Sequence, residues 1–88
     1  MKFYVYMLIS KKNDTYYSYV GYTNDINKRL YLHNASKGAK YTKGKNWKLI
    51  YKKSYPNKSL ALKEEYKLKK KYLLRNKIKK KFIQNDKI

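Results

Sequence analysis

The sequence predicts an α/β (α+β) fold in which a small three-stranded antiparallel sheet is flanked by helices, in the order β-β-α-β-α. Aromatic and β-branched residues concentrate in three short segments, which is typical of strands. Lysine-rich segments with apolar residues at helical spacing follow the second and third of these strands. Because 88 residues leave room for only one core, we expect all five elements to belong to one domain.

The first two strands are predicted to form a hairpin. Residues 3–9 are aromatic and β-branched, residues 10–14 are polar and predict a turn, and residues 15–22 are again aromatic. The first strand is too short for a signal peptide and lacks a cleavage site of small residues. No apolar run approaches the roughly 20 residues of a spanning helix. We therefore expect a cytoplasmic protein associated with the nucleoid.

Helix signals follow each later strand. Thr23-Asn24-Asp25 predicts the start of a first helix that runs to about Asn34, and residues 35–45 predict a loop or a short irregular helix. Residues 47–54 predict the third strand. After the break at Pro56, Ser59 is the expected cap of a second helix that continues to Leu73.

The chain is predicted to divide after residue 75. Residues 1–75 would form the main domain, and residues 76–88, which are rich in lysine, would form a basic C-terminal helix or tail.

The chain is strongly basic, with 24 lysines and arginines against five acidic residues and a formal net charge of +19. Such a chain binds polyanions, nucleic acid first and an anionic membrane surface second. Lysines on every segment, rather than on one face of an amphipathic helix, argue against the membrane. A coding sequence rich in A and T would also enrich lysine, but it disfavours arginine. The two arginines, Arg29 and Arg75, are therefore the first positions to consider at a phosphate site.

Residue types that the chain lacks exclude several kinds of chemistry. Without cysteine there is no disulfide, thiolate metal site or cysteine nucleophile. The single histidine, His33, excludes a zinc site built from several histidines, and the three glycines form no phosphate-binding loop. With five carboxylates, a divalent ion would be held by one or two of them and would keep water and phosphate elsewhere, as Mg²⁺ usually does.

Five side chains of complementary chemistry are predicted to converge over one sheet edge. The hairpin contributes two phenols, Tyr6 and Tyr19. The first helix contributes the guanidinium of Arg29 and the imidazole of His33, which are four residues apart and so share one face. The second helix contributes a carboxylate, Glu64 or Glu65. This set suits metal-assisted phosphodiester hydrolysis, in which arginine neutralises developing charge and a phenol or imidazole takes a proton from water.

The order of these residues resembles the GIY-YIG nucleases. Tyr4-Val5-Tyr6 and Tyr19-Val20-Gly21 are similar to the paired tripeptides of that family, although Tyr4 and Val5 replace the glycine and isoleucine of its name. Thr23, Arg29 and His33-Asn34 continue the family pattern at the same spacing, followed by a glutamate in a later helix. The resemblance covers residues 3–75 and is closest to the small stand-alone branch of single-domain bacterial members.

The resemblance implies a metal-dependent endonuclease in which activated water attacks a phosphodiester of DNA. By position, Tyr6 would be the general base with His33 assisting it, and Tyr19 would orient the water or the phosphate. Arg29 would stabilise the pentacovalent state, and Glu65 would hold one Mg²⁺ or Mn²⁺ ion.

The resemblance also decides between the two neighbouring glutamates. Glu65 stands at the family's glutamate position and shares a helical face with Leu62 and Leu68, so it borders the packed side. Glu64 is expected to face solvent.

A lysine-rich loop after the first helix is predicted to contact nucleic acid. It interleaves cations with an aromatic ring, as single-strand and backbone contact surfaces do, at Lys37, Lys40, Tyr41, Lys43 and Lys45. Larger members of the family append a DNA-binding domain that this chain lacks. We therefore expect a monomer that recognises the structure of DNA rather than its sequence, with any further specificity supplied by a partner protein.

An alternative function stays open. A catalytically weak module that binds DNA or RNA could use the same fold and the same charge. Such a module would not require Arg29, His33 and Glu65 at their observed spacings, so the nuclease is preferred.

Overall fold

The computed structural model describes residues 2–86 and has a three-stranded sheet, three helices and one 3₁₀ turn within that range. The elements in chain order are β1 Phe3–Lys12, β2 Thr15–Thr23, α1 Ile26–Asn34, a 3₁₀ turn at Lys40–Thr42, β3 Lys48–Tyr55, α2 Lys58–Lys70 and α3 Tyr72–Asp86. The predicted fold class is confirmed. The third helix, which the sequence left open, is present.

The sheet is antiparallel with the order β2-β1-β3, so the first strand is the central one. The turn between β1 and β2 is shorter than predicted. Asn13 and Asp14 both have positive φ, 53° and 63°, as a two-residue hairpin turn requires. Residues 10–12, which were expected in the turn, therefore continue the strand, and Lys12 pairs with Thr15.

The two faces of β1 are both covered. Val5 and Met7 point toward α2, whereas Tyr6 and Leu8 point to the opposite face, and all four are buried. The pairing of β1 with β3 shifts between Met7 and Leu8, which marks an irregularity of the bulge type. The apolar core lies on the α2 side and consists of Val5, Met7, Val20, Ala61 and Leu68, with Phe3, Ile50, Tyr51, Tyr55 and Ile78 packed against it.

Helix caps fix where α1 and α2 begin. The Asp25 carboxylate accepts the backbone N–H of Lys28 at 3.1 Å, which confirms the predicted start of α1. The prediction that Ser59 caps α2 is wrong, because the Asn57 side chain occupies the cap and accepts the N–H of Leu60 at 2.8 Å.

A break at Lys71 separates α2 from α3, where the sequence predicted one helix to residue 73. The Arg75 guanidinium donates to the carbonyl oxygens of Leu68, at 3.2 Å, and of Lys69. These are terminal carbonyls of α2, which lack a partner within the helix and carry the negative end of its dipole. Arg75 thus stabilises the junction of the two helices.

The predicted division after residue 75 falls inside α3, and Ile78 beyond it packs against the core. The last two residues of the predicted C-terminal segment, 87 and 88, lie outside the described residues, as does residue 1. None of the helices found between residues 2 and 86 has the length and apolar character needed to cross a bilayer.

Candidate active site

A buried hydrogen bond joins the central strand to the last turn of α1. The Tyr6 hydroxyl lies 2.8 Å from Nε2 of His33, and their side chains are almost completely buried. The Tyr19 ring packs against both, with centroids 6.4 Å from Tyr6 and 5.0 Å from His33. Three residues that the sequence singled out therefore form one cluster. His33 by itself would be expected on the helix surface, but it is fully covered.

The tautomer of His33 follows from its second contact. Nδ1 lies 2.9 Å from Oγ1 of Thr42, whose hydroxyl donates to the Ala39 carbonyl at 2.9 Å and accepts the Ala39 N–H at 3.2 Å. A hydroxyl has one proton and two lone pairs, so donor counting assigns the proton of this contact to Nδ1. Nε2 is then an acceptor, and the Tyr6 O–H donates to it.

Both members of the pair are neutral at neutral pH. Burial lowers the pKa of the His33 imidazole below its ordinary value, and the charge of Arg29 lowers it further. Burial raises the pKa of Tyr6 to about 12, Arg29 opposes this effect, and the electrostatic influence of Tyr19 and Glu65 adds to it. The Tyr6 hydroxyl therefore keeps its proton and donates it in a hydrogen bond to the neutral imidazole of His33.

Arg29 connects this cluster to the surface. It lies one helical turn before His33 and close enough to Tyr6 to lower the pKa of the phenol that bonds His33. Arg29 also lines an open pocket of about 380 Å³ together with Tyr22, Thr23 and Lys58. A phosphate entering this pocket would meet the guanidinium directly.

Glu65 approaches from α2. Its side chain is 15% exposed, and its carboxylate lies near enough to Tyr6 for its charge to affect the pKa of the phenol. It forms an ion pair with Lys69 at 3.7 Å. Glu64 pairs with Lys67 at 3.3 Å and lines a different pocket, beside Tyr51 and Tyr55. Glu64 is thus partly covered rather than facing solvent as expected.

Residues 2–86 contain no group of three or more histidine, aspartate or glutamate side chains that could enclose a metal ion. A single, largely buried carboxylate fits an ion that keeps most of its waters and binds substrate phosphate, which is the usual behaviour of Mg²⁺. The donor set is therefore compatible with one divalent ion at Glu65.

Two glycines make room for the buried pair. Gly21 faces Tyr6 across the hairpin, and a Cβ there would lie 2.5 Å from the phenol oxygen. A Cβ at Gly38 would lie 2.8 Å from both Cε1 and Cγ of His33. Gly21 belongs to the second tripeptide noted in the sequence, but nothing in the sequence indicated the role of Gly38.

Thr42 and Trp47 hold the loop over His33, and the sequence identified neither role. The Trp47 indole N–H donates to the Thr42 carbonyl at 2.9 Å, and the Asn34 side chain bonds both the N–H and the carbonyl of Trp47. The last residue of α1 is thereby fastened to the start of β3. A threonine in a lysine-rich loop has no periodic signal that could reveal such a contact.

The loop predicted to bind nucleic acid covers the same cluster. Lys37, Lys40 and Lys43 are exposed, whereas the Lys45 ammonium lies 4.9 Å from the Tyr17 ring and 5.1 Å from the Tyr41 ring. Tyr41 is half exposed and stacks on Tyr19 with centroids 6.2 Å apart. Cations and an aromatic face thus lie at the outer rim of the Tyr6–His33 cluster.

The chain is similar to proteins of one known family. Residues 2–80 match the family model of the GIY-YIG catalytic domain. The UPF0213 protein OB0043 of Oceanobacillus iheyensis is 43% identical over 67 residues, which cover 75% of this chain and 74% of that protein. The UPF0213 protein SH2523 of Staphylococcus haemolyticus is 42% identical over 69 residues, which cover 77% and 80% of the two chains.

A solved structure is also similar. The solution NMR structure of the UPF0213 protein BH0048 from Bacillus halodurans is 37% identical, covers 78% of this chain and 71% of its own, and superposes with a TM-score of 0.41. The family assignment is carried by the sequence matches, which span most of the chain. The chain therefore belongs to the GIY-YIG catalytic domain family, which is part of a nuclease superfamily.

Proposed function

We propose that this protein is a metal-dependent endonuclease that hydrolyses phosphodiester bonds in DNA by attack of an activated water. The observation that carries the proposal is the buried hydrogen bond from Tyr6 to the unprotonated Nε2 of His33, beside the Arg29 guanidinium. A tyrosine that served packing alone would not need a neutral base bonded to its hydroxyl and a cation close by.

The pKa of Tyr6 argues for a proton relay rather than a preformed phenolate. With a pKa of about 12, only about one Tyr6 in 10⁵ would be ionised at pH 7. Instead, Tyr6 passes its own proton to Nε2 of His33 while its oxygen takes a proton from the attacking water. The water oxygen bonds to phosphorus, the bond to the leaving oxygen breaks, and the leaving alkoxide takes a proton from solvent.

The other residues of the site act on the phosphate. Arg29 donates to a non-bridging oxygen and stabilises the charge of the pentacovalent state, while Tyr19 orients the water or the phosphate. Glu65 holds the ion. A divalent ion bound there would polarise the scissile phosphate and offset part of its charge. Lys69, which pairs with Glu65, fixes the orientation of the carboxylate.

Charge supports nucleic acid as the substrate. The net charge of +19 and the exposed lysines of the loop at Lys37, Lys40 and Lys43 favour binding to the phosphate backbone, which carries no sequence information by itself. We therefore propose that the substrate is DNA recognised by its structure, and that the protein acts in the cytoplasm, in association with the nucleoid.

The same charge supports a second candidate function, a module that binds DNA or RNA with little catalysis of its own. A gel assay with labelled duplex, single-stranded and branched DNA distinguishes the two functions. It compares Mg²⁺, Mn²⁺ and chelator for the wild type, Arg29→Ala and Glu65→Gln, with Lys63→Gln as a charge-matched control on an exposed part of α2.

The nuclease predicts cleavage that requires the metal, is lost in Arg29→Ala and Glu65→Gln, and persists in Lys63→Gln. Binding without cleavage by all four proteins would establish the binding module instead.

A further inference from the structure

One face of α2 is turned toward the edge strand β2. Lys58, Leu62, Glu65 and Lys69 are spaced at i, i+4, i+7 and i+11, so they form a single stripe along the helix. At the first end of this stripe, the Lys58 ammonium lies 6.0 Å from the Tyr22 ring, and at the other end Lys69 shares a pocket with β2 residues. We call the cleft between this stripe and β2 the β2–α2 groove.

Two pockets open along the groove, one on each side of Glu65. The first is the pocket of about 380 Å³ that contains Arg29, Lys58 and Tyr22. It adjoins the reaction centre, because Arg29 lines the pocket and also lies close enough to Tyr6 to lower the pKa of its phenol. The pocket therefore combines two cations and an aromatic ring next to the proposed scissile phosphate.

The second pocket has a volume of about 290 Å³ and is lined by Tyr19, Lys69 and Arg75 with the neighbouring β2 residues Ser18 and Val20. It repeats the composition of the first, with two cations and a tyrosine. One guanidinium nitrogen of Arg75, Nη1, donates to the carbonyls of Leu68 and Lys69. A guanidinium has five N–H donors, so Arg75 retains donors for an anion.

We propose, resting on the proposed function, that one unpaired nucleic-acid strand lies along the β2–α2 groove with nucleotides bound on both sides of the scissile phosphate. Cations alternating with tyrosine rings suit a strand whose phosphates and bases are both accessible. Pockets on both sides of the centre select an internal bond rather than a strand end. Single-stranded segments, free or within branched DNA, are then the preferred substrate class.

The groove also fixes the length of strand that is bound. Lys58 and Lys69 are eleven residues apart, which is about 16 Å along the helix axis. A stacked strand advances about 3.4 Å per nucleotide, so the groove accommodates about five nucleotides.

Binding measured without metal tests this length. Fluorescence anisotropy would follow fluorescein-labelled oligothymidylates of two to twelve nucleotides, and a hairpin duplex, in the presence of EDTA. Affinity is expected to rise with length and to level off near five nucleotides, with the duplex bound more weakly. An affinity that continues to rise up to twelve nucleotides, or tighter binding of the duplex, would contradict the proposal that one unpaired strand binds in the groove.

Salt dependence locates the contacts. Lys58→Gln and Lys69→Gln should each reduce the slope of log K against log salt by about 0.7 for a five-nucleotide strand, the value for one lost phosphate contact. Lys63→Gln removes the same charge about 140° around the helix, and its slope should equal that of the wild type. Equal slopes for all three variants would overturn the proposal, and thermal unfolding would verify that each variant is folded.

These outcomes are separable from the proposed nuclease function. Strand binding in the groove without cleavage would retain this inference and reject the nuclease. Metal-dependent cleavage with no preference for unpaired strands and no effect of Lys58→Gln would retain the nuclease and reject the groove.

Discussion

The two faces of the sheet differ in composition although they share the same central strand. On the α2 face, Val5 and Met7 belong to the buried apolar core. On the opposite face, Tyr6 lies between them in sequence but bonds His33, and the charge of Arg29 is close enough to lower the pKa of its phenol. Because side chains alternate along a strand, residues one position apart pack in the apolar core on one face and form the candidate site on the other.

The comparison teaches how a thin core can support a buried polar site. The buried polar cluster is accommodated because its groups satisfy one another: Tyr6, His33, Thr42 and the Ala39 backbone form one continuous chain of hydrogen bonds. Substitutions on the apolar face should therefore lower mainly the free energy of unfolding, and substitutions on the polar face mainly the cleavage rate.

The largest effect is expected for Tyr6→Phe. Loss of a group that transfers a proton in the transition state should lower the single-turnover cleavage rate by about 10²–10⁴. It should lower the free energy of unfolding by only about 1–3 kcal/mol, because His33 loses its donor while the ring still fills its site. Single-turnover kinetics and urea unfolding measure the two quantities.

Met7→Ala in the same strand is the matched control and should show the reverse. A cavity in the core should cost about 2–5 kcal/mol of unfolding free energy, with the cleavage rate of the folded protein within a few-fold of wild type. If Met7→Ala lowered the rate as much as Tyr6→Phe under folding conditions, the division between the two faces would be wrong.

A smaller effect is expected at Thr42, which contacts His33 but not substrate. Thr42→Val keeps the shape of the side chain but removes the hydroxyl that accepts the Nδ1–H of His33. Because an unsatisfied buried group costs about 1–3 kcal/mol, the imidazole should lose its fixed orientation. The cleavage rate should therefore fall about tenfold. Thr42→Ser should restore most of the rate. The pH dependence of the cleavage rate supplies a second readout, because only a change at His33 would move the acidic limb of that profile. If Thr42→Ser did not restore the cleavage rate, the role of Thr42 would be purely steric.

The smallest effect is a pH dependence of stability. The pKa of His33 is lowered in the folded protein, so below the ordinary value of 6.5 the unfolded chain binds a proton that the folded chain does not. Stability is therefore full above about pH 6.5 and is lost as pH falls below it. Urea unfolding between pH 5 and 7.5 should show this loss in wild type and less of it in His33→Gln; equal profiles would mean that His33 is not buried as a neutral base.

Most of the fold follows from local patterns in the sequence. Aromatic and β-branched runs located the three strands, and Asp25 located the start of α1. The extent of the first turn and the cap of α2 were misplaced by a few residues, and the end of α2 was missed because contacts between helices decide it. The end of α2 at Lys70 depends on carbonyl contacts made by Arg75 from the next helix, and no spacing of residues near the break predicts them.

The site was less accessible to prediction than the fold. Tyr6, Tyr19, Arg29, His33 and Glu65 were selected by order and spacing through a family resemblance, and the structure brings Tyr6, Tyr19 and His33 into contact. Gly38 and Thr42 lay in a lysine-rich loop that carries no periodicity. Their contacts with His33 depend on how that loop folds back over α1, which only the three-dimensional structure provides.

The central position of β1 has a consequence for synthesis on the ribosome. Its hairpin partner β2 is complete at Thr23, but β3 begins about 25 residues later, at Lys48. At about 5–20 residues per second, the second edge of β1 stays unpaired for about 1–5 s, long compared with hairpin formation. The nascent chain thus carries an open strand edge rich in aromatic and aliphatic residues, and the many lysines around it oppose pairing with a neighbouring nascent chain.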